Sequence, residues 1–374
     1  MPLMTKQSKK KGSLAKAVKR IAKRGPVWEG PESSGPQGGV TQSLLGRFLS
    51  CRARFRVLVV EGLKPTERWN PTMDFGSLWH IMEEEHAKKG GGDWPSALNV
   101  GVNKYMQKFP FQREEIECWR QKAAVLFPEY VKHWHEHPDV QARTPLLAEQ
   151  VFHVPYKLPS GRTVYLRGKW DSVDAVEGGP NAGVWLMENK SKSTIDKQKI
   201  ERQLRWDLQT LLYLVALEAY GWEGTEYGPP TKSPAKLPTL LPSIKGVRYN
   251  CVRRAAHKTA ESMMEKFGLD SRNGRIEEWF CRWNVEVSAE DVARFKRESL
   301  DPILEQLCWW WDMIGLKKDQ DEVAGKHGYP EAHYRMPYMY SPIFEGGGGE
   351  VDLYLDTGNR VGLTQADDLF PELK

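Results

Sequence analysis

Cysteine is scarce, and what there is does not cluster. The 374 residues hold five: Cys51, Cys118, Cys251, Cys281 and Cys308. The number is odd and no C-x-x-C pair occurs, which argues against both a disulfide framework and a zinc site. No apolar run approaches the ~20 residues needed to span a bilayer. The basic N-terminus has no apolar stretch of a secretory signal, so a cytoplasmic protein with no membrane partner is the expectation. No G-x-x-x-x-G-K-[ST] occurs, so no nucleotide-phosphate loop of a helicase motor can be read. No internal repeat is visible. Charge of one sign is not in large excess either: Lys+Arg number 54 against 49 Asp+Glu, a net +5. Residues 1–24 hold nine Lys or Arg and no acid, which leaves about −4 on the rest. A nucleic-acid partner would therefore meet a local groove plus this tail, not a broadly basic body.

What is present suits a globular chain. Forty per cent of residues are apolar and eleven per cent aromatic, enough for a sizeable core in one large domain or two small ones. Residues 1–40 read as a disordered basic tail that turns Gly/Pro/Ser-rich. Thr41–Val60 reads as a helix or helix pair, with Arg47, Arg52, Arg54 and Arg56 facing either nucleic acid or solvent. A helix beginning at Asp74 or Ser77 carries His80, Glu83 and Glu84 and ends at Gly90-Gly91-Gly92. Trp94–Phe109 and Gln112–His137 read as further helices, and Pro128 is expected to kink or split the second. Trp119, Phe127, Tyr130 and Trp134 recur along it at near-helical spacing, as a core stripe or as a stacking platform for single strands. Leu146–Val154, bearing Glu149, and Thr163–Val176 read as antiparallel strands.

The stretch from Gly168 to Tyr213 carries the chemistry. Asp171 stands alone on one strand, and Glu188-Asn189-Lys190 ends the next. Alternation puts Glu188 and Lys190 on one face. Gln209 and Tyr213, four apart, share one side of a helix read over Ile200–Tyr220. Two carboxylates and a lysine aimed at one point suit a hard divalent cation and a phosphodiester. Beyond lie a loop with five prolines over 223–242, a candidate flap, and a strand over Ile244–Arg254, expected to be the last of the sheet. Trp279–Val287 reads as another strand, Ser288 as the cap of a helix to about Trp311, and Val351–Leu355 as a short strand.

Asp171, Glu188-x-Lys190, the Gln209-x-x-x-Tyr213 spacing and the upstream Gly76-Ser77-Leu78-Trp79-His80 together resemble the PD-(D/E)XK nuclease superfamily in its RecB-like, exonuclease-type branch, including phage-type members. The motifs span roughly His80 to Tyr213. The resemblance implies an α/β fold: a restriction-endonuclease-like core, with a small mixed central sheet flanked by helices, plus added helical segments and a C-terminal α+β extension. The expected organisation is a tail over 1–40, a nuclease core over 41–255 and an extension over 256–374 packed on the core.

The resemblance also implies roles. Asp171 and Glu188 would bind Mg2+, with the Asn189 backbone carbonyl and His80 as further ligands; the imidazole makes Mn2+ a second suitable ion. Lys190 would sit by the attacking water and the phosphate. Gln209 and Tyr213 would orient Lys190 or the nucleic-acid backbone. Glu149 is either a helper ligand or a surface glutamate. Some relatives hold an iron–sulfur cluster on one early and three late clustered cysteines; Cys281 and Cys308 are too far apart for that, so none is expected here. The implied activity is metal-dependent DNA hydrolysis by an exonuclease in recombination, repair or phage DNA processing. Its partners would be DNA, as single strands or duplex ends, and a helicase or recombination protein. A non-catalytic DNA-binding or assembly protein and a restriction-type endonuclease stand as alternatives.

Overall fold

The computed structural model describes residues 26–88, 92–135, 143–204, 206–223, 244–254, 257–315 and 348–373. The expectations for the lysine-rich tail, for Gly90-Gly91, for the proline-rich loop over 224–242 and for the Tyr/Pro/Gly-rich stretch over 333–347 fall outside these residues. The chain divides into two compact units. The larger holds Val40–Ser43, Glu67–Leu307 and the last two residues; the smaller holds Met1–Gly39, Leu44–Thr66 and Cys308–Glu372.

The larger unit is built on a five-stranded sheet. Its strands are β1 (Arg143–Lys157), β2 (Thr163–Val176), β3 (Gly183–Lys192), β4 (Ile244–Arg253) and β5 (Phe280–Glu286), side by side in chain order. All neighbours run antiparallel except β3 and β4, which are parallel. The unit's helices include α1 (Pro71–Ala87), α2 (Trp94–Lys108), α3 (Arg113–His135), α4 (Lys197–Leu204), α5 (Leu208–Glu223), α6 (Ala260–Arg272) and α7 (Ala289–Phe295). A parallel pair needs a long crossover, and α4 and α5 lie within it. This is the expected mixed α/β core, a small mixed sheet flanked by helices.

Several elements differ from the sequence reading. The sheet continues past Ile244–Arg253: β5 adds an edge strand, with Cys281 opposite Cys251. Its apolar pattern is readable, but its pairing partner is not, since pairing is a long-range choice. The helix α1 starts at Pro71, three residues before Asp74. Asn70 caps it, its side chain accepting from Thr72 N–H at 2.9 Å, and proline fits the first turn because it has no amide to leave unpaired. The helix α3 runs unbroken through Pro128. Phe127 and Tyr130 on either side of the proline are buried and hold both halves to the core, against the lost backbone bond.

The aromatic stripe of α3 is core. Trp119, Phe127, Tyr130 and Trp134 are buried in one cluster with Phe75 and Trp79 of α1, Phe267 of α6 and Phe280 of β5. That excludes the stacking platform, because a buried ring offers no free face to a base.

The single helix expected over Ile200–Tyr220 is two. The apolar spacing of Leu204 and Leu208 runs through the break and hides it. The chain turns at Trp206–Asp207, where Trp206 N–H donates to Gln203 O at 3.2 Å and Asp207 N–H to Leu204 O at 3.3 Å. The Leu204 carbonyl also accepts from the buried Tyr249 hydroxyl at 3.2 Å, which satisfies the end of α4 from outside.

In the smaller unit, residues 26–39, which composition assigns to the tail, are packed. Trp28 is fully buried, donates Nε1–H to Gly39 O at 3.0 Å, and meets Phe55 edge-on at 5.4 Å. Of the four arginines of the first helical stretch, two have local partners and two are held mainly by burial. Arg52 lies over Phe48, Arg56 pairs with Glu61 at 3.1 Å, and burial lowers Arg47 and Arg54 from the usual guanidinium range. Leu63–Pro65 pairs antiparallel with Leu363–Gln365. Val351–Leu355 is not a strand; it lies in a helix over Gly348–Thr357. Its residues alternate, but helical spacing lets Val351 pack with Val57 and Leu63 while Tyr354 donates to Glu61 Oε2 at 2.7 Å.

Candidate active site

The two acids stand where a ladder ends. Strands β2 and β3 pair from Val176 opposite Gly183 to Ser172 opposite Met187, and no further. Asp171 and Glu188 are the next residue on each side. With the ladder over, the Asn189 N–H donates to the Asp171 carboxylate, Oδ2, at 2.8 Å. The four residues before Glu188, Val184 to Met187, are all buried, so the apolar run fixes β3 in the core and carries Glu188 to 2% exposure. Gly168 begins the Gly-Lys-Trp-Asp run for a steric reason: a Cβ there would lie 2.5 Å from Phe152 Cζ and 3.0 Å from the Tyr213 ring.

Lys190 and Gln209 close on Glu188. The Lys190 Nζ lies 2.5 Å from Glu188 Oε1 and donates to Gln209 Oε1 at 2.7 Å. Gln209 Nε2 donates to the same Glu188 Oε1 at 2.8 Å and to Tyr213 Oη at 3.4 Å. The i, i+4 spacing on α5 is what aims Gln209 and Tyr213 together. Burial raises the Glu188 carboxyl and the Asp171 charge adds to this, against the attraction of Lys190. Burial opposes the charge on Lys190, but Glu188, Asp207 and Asp171 together raise the ammonium pKa. Lys190 is thus held as a cation. The Tyr213 hydroxyl is raised by burial and by Glu188, and stays protonated.

A second group meets the first at Asp171. His80 of α1, Glu149 of β1 and Asp171 each offer a ligand atom, all within 4.8 Å of one another. Gly76, one turn before His80, brings α1 close to the end of β3: a Cβ there would meet Ser191 Oγ at 3.2 Å. Glu149 is the one non-glycine residue with positive φ, +50°, among the described residues, and it lies in a strand just past a register shift between Pro145 and Leu147. Such a conformation costs free energy and marks a site where something else fixes the chain. Its carboxylate pairs with Lys169 and is raised mainly by burial. Burial also opposes protonation of His80, yet Asp171, Glu83, Glu149 and Glu188 together raise its pKa.

These residues fit a divalent cation. Glu188 Oε2 is buried and has no hydrogen-bond partner, an expensive state for a carboxylate oxygen unless a ligand meets it. His80, Glu149 and Asp171 form one group of two carboxylates and one imidazole, hard oxygen with one borderline nitrogen, and Glu188 stands near enough to act on the His80 charge.

All the residues singled out from sequence come together here: His80, Asp171, Glu188, Asn189, Lys190, Gln209 and Tyr213. Sequence reasoning left Glu149 undecided, and its φ is not a sequence property. It missed a polar chain beneath the site. Asn250 Nδ2 donates to Asn189 Oδ1 at 2.9 Å, and Tyr130 Oη donates to Glu83 Oε1 at 2.6 Å. Only Glu83, one helical turn from His80, carried a signal in the sequence. Also missed was Trp206, 59% exposed at the α4–α5 turn with the Arg294 guanidinium 5.3 Å from its ring centre.

Compared with known proteins, residues 40–292 match the family model of the PD-(D/E)XK nuclease superfamily. The match covers all five strands of the sheet and every residue of this site. A search of curated proteins finds no match to the chain.

Proposed function

The chain belongs to the PD-(D/E)XK nuclease superfamily, and from that premise we propose that it is a Mg2+-dependent deoxyribonuclease of the RecB-like branch that works from DNA ends. One observation carries the reading: the Gln209 amide holds Glu188 with its nitrogen and Lys190 with its oxygen. A buried acid and a half-buried lysine are thereby locked in one geometry, which costs conformational freedom.

Asp171, Glu188 and the Asn189 carbonyl, with His80 and Glu149 beside Asp171, would hold the cation. When bound, a divalent cation supplies an activated water and offsets charge on the phosphate. Lys190, kept protonated by Glu188, presents a fixed positive charge where the phosphate gains negative charge. Gln209 limits the rotation of Lys190, and Tyr213 backs Gln209. The oxygen-rich set suits Mg2+ and, through His80, admits Mn2+.

Trp206 offers an exposed ring for a base, in place of the buried α3 stripe. Its neighbour Asp207 is near enough to act on the charge of Lys190. Work on free ends follows from the His80 and Gln209/Tyr213 elements that the branch shares. The setting would be cytoplasmic DNA recombination, repair or phage DNA processing, beside a helicase or recombination protein. The test compares one DNA as a closed circle and as a linear molecule, with Mg2+ present. Consumption of the linear form alone is expected. Discrete fragments from the circle would mark a restriction-type endonuclease. DNA binding that survives chelation, with no product, would mark a non-catalytic binding protein.

A further inference from the structure

Four side chains that this chemistry does not use form a hydrogen-bonded group behind the Glu188-Asn189-Lys190 peptides. At its centre is Asn250 on β4, 4% exposed, directly opposite Asn189 in the parallel register of β3 and β4. Asn250 Nδ2 donates to Asn189 Oδ1 at 2.9 Å and lies 2.5 Å from Tyr130 Oη and 3.2 Å from Glu83 Oε1. Asn250 Oδ1 accepts from Arg282 Nε at 3.3 Å, and the Arg282 guanidinium lies over the Trp134 ring at 3.8 Å. Tyr130 Oη donates to Glu83 Oε1 at 2.6 Å.

The chemistry of these partners leaves the Asn250 amide one orientation. A guanidinium only donates, so it must face the amide oxygen. With the amide oxygen so placed, the NH2 faces Asn189 and Glu83 Oε1, which already accepts from Tyr130 Oη. The NH2 in turn requires that Asn189 present its oxygen and not its nitrogen. Asn189 is therefore pinned at its side chain by Asn250, while its backbone N–H is committed to Asp171 Oδ2 at 2.8 Å. Its peptide is bonded covalently to Glu188 on one side and holds the Asp171 carboxylate by that hydrogen bond.

We infer that Asn250, oriented by Glu83, Tyr130 and Arg282, is a positioning residue: it anchors Asn189 and, through the Asn189 peptide, sets the placement of the Asp171 and Glu188 carboxylates for a divalent cation. The inference rests on the reading above that a cation binds there. The assigned role is not that of a ligand: Asn250 acts on the carboxylates through Asn189.

That last statement is what an experiment can separate from plain stabilisation. Mn2+ binding to the full chain, without DNA, is measured by titration calorimetry for the wild type, Asn250→Ala, Asn189→Ala and the double variant. Loss of outer partners of a metal site costs about 10- to 100-fold in affinity. Asn250→Ala and Asn189→Ala should each weaken Mn2+ binding at least to the low end of that range. The double variant should be no weaker than Asn189→Ala, because the path is already cut. Unchanged affinity in Asn250→Ala, or additive losses in the double variant, would overturn the inference. Should Asn250→Ala not fold, Tyr130→Phe keeps the ring and removes only the hydroxyl. It should weaken Mn2+ binding in the same direction, by less, and unchanged affinity there would equally overturn the inference. A wild type that binds no Mn2+ removes the cation reading itself and this inference with it. A wild type that binds, with variants that bind equally well, removes only the inference.

Discussion

Gln209 Nε2 donates to Glu188 Oε1 at 2.8 Å, across the gap between α5 and the end of β3. The same amide accepts from Lys190 on its other side. One uncharged group thus fixes the Glu188 carboxyl and the Lys190 ammonium relative to each other. Gln209→Glu keeps the size but turns a donor into an acceptor beside a buried carboxylate. Its kcat on saturating linear DNA should fall about 10- to 100-fold, as for other supports of a metal site, with a smaller change in KM. Steady-state kinetics check this, and an unchanged kcat would remove Gln209 from the account.

Glu149 holds a left-handed backbone, and the strain should be measurable without any cation. Glu149→Ala and Glu149→Gly both remove the carboxylate and the Lys169 pair. Only glycine adopts the +50° φ freely. Urea unfolding in chelator should find the glycine variant more stable than the alanine variant by about 1 kcal/mol. Equal stabilities would mean that the strand relaxes and the strain is not held in place.

Much of this site was legible in the sequence because its spacing rules are local. Two residues apart on a strand, or four apart on a helix, fixes a shared face whatever the fold. Glu188 with Lys190 and Gln209 with Tyr213 obey those rules, and the structure joins all four. The sheet core was legible for the same reason, since β2 and β3 alternate or run apolar between clear turns. What stayed hidden is long-range or conformational. Asn250 is an ordinary residue in an apolar strand until β4 lies beside β3. The α4–α5 break is invisible because Leu204 and Leu208 keep the helical spacing through it. Val351–Leu355 alternates like a strand, but its buried contacts have helical spacing.

Trp206 should matter for binding more than for turnover. Stacking on an aromatic ring contributes about 1–3 kcal/mol per base. Trp206→Ala should therefore weaken single-stranded DNA binding by roughly tenfold or more by that estimate, with the binding of Mn2+ alone unchanged. Fluorescence anisotropy on a labelled oligonucleotide reads the first and calorimetry the second. Equal DNA affinity would return the ring to the status of an exposed surface tryptophan.

Residues 1–24 carry nine cations. Deleting them should weaken DNA binding and flatten its dependence on salt, because fewer counterions are released on association. Turnover at saturating DNA should change little, since no residue of the site lies there. Affinity measured from low to moderate salt gives the slope, and an unchanged slope would make the tail a solvated arm.

The central claim is that Asp171, Glu188 and Lys190 cut a phosphodiester with the help of a divalent cation. The most direct measurement follows end-labelled linear DNA with the wild type, Asp171→Asn and Glu188→Gln, each with Mg2+ and with excess chelator. The folded state of each is confirmed by its melting transition. The account predicts product from the wild type with Mg2+, none in chelator, and losses of orders of magnitude in both variants. Wild-type cutting in excess chelator, or wild-type rates in both folded variants, would contradict it.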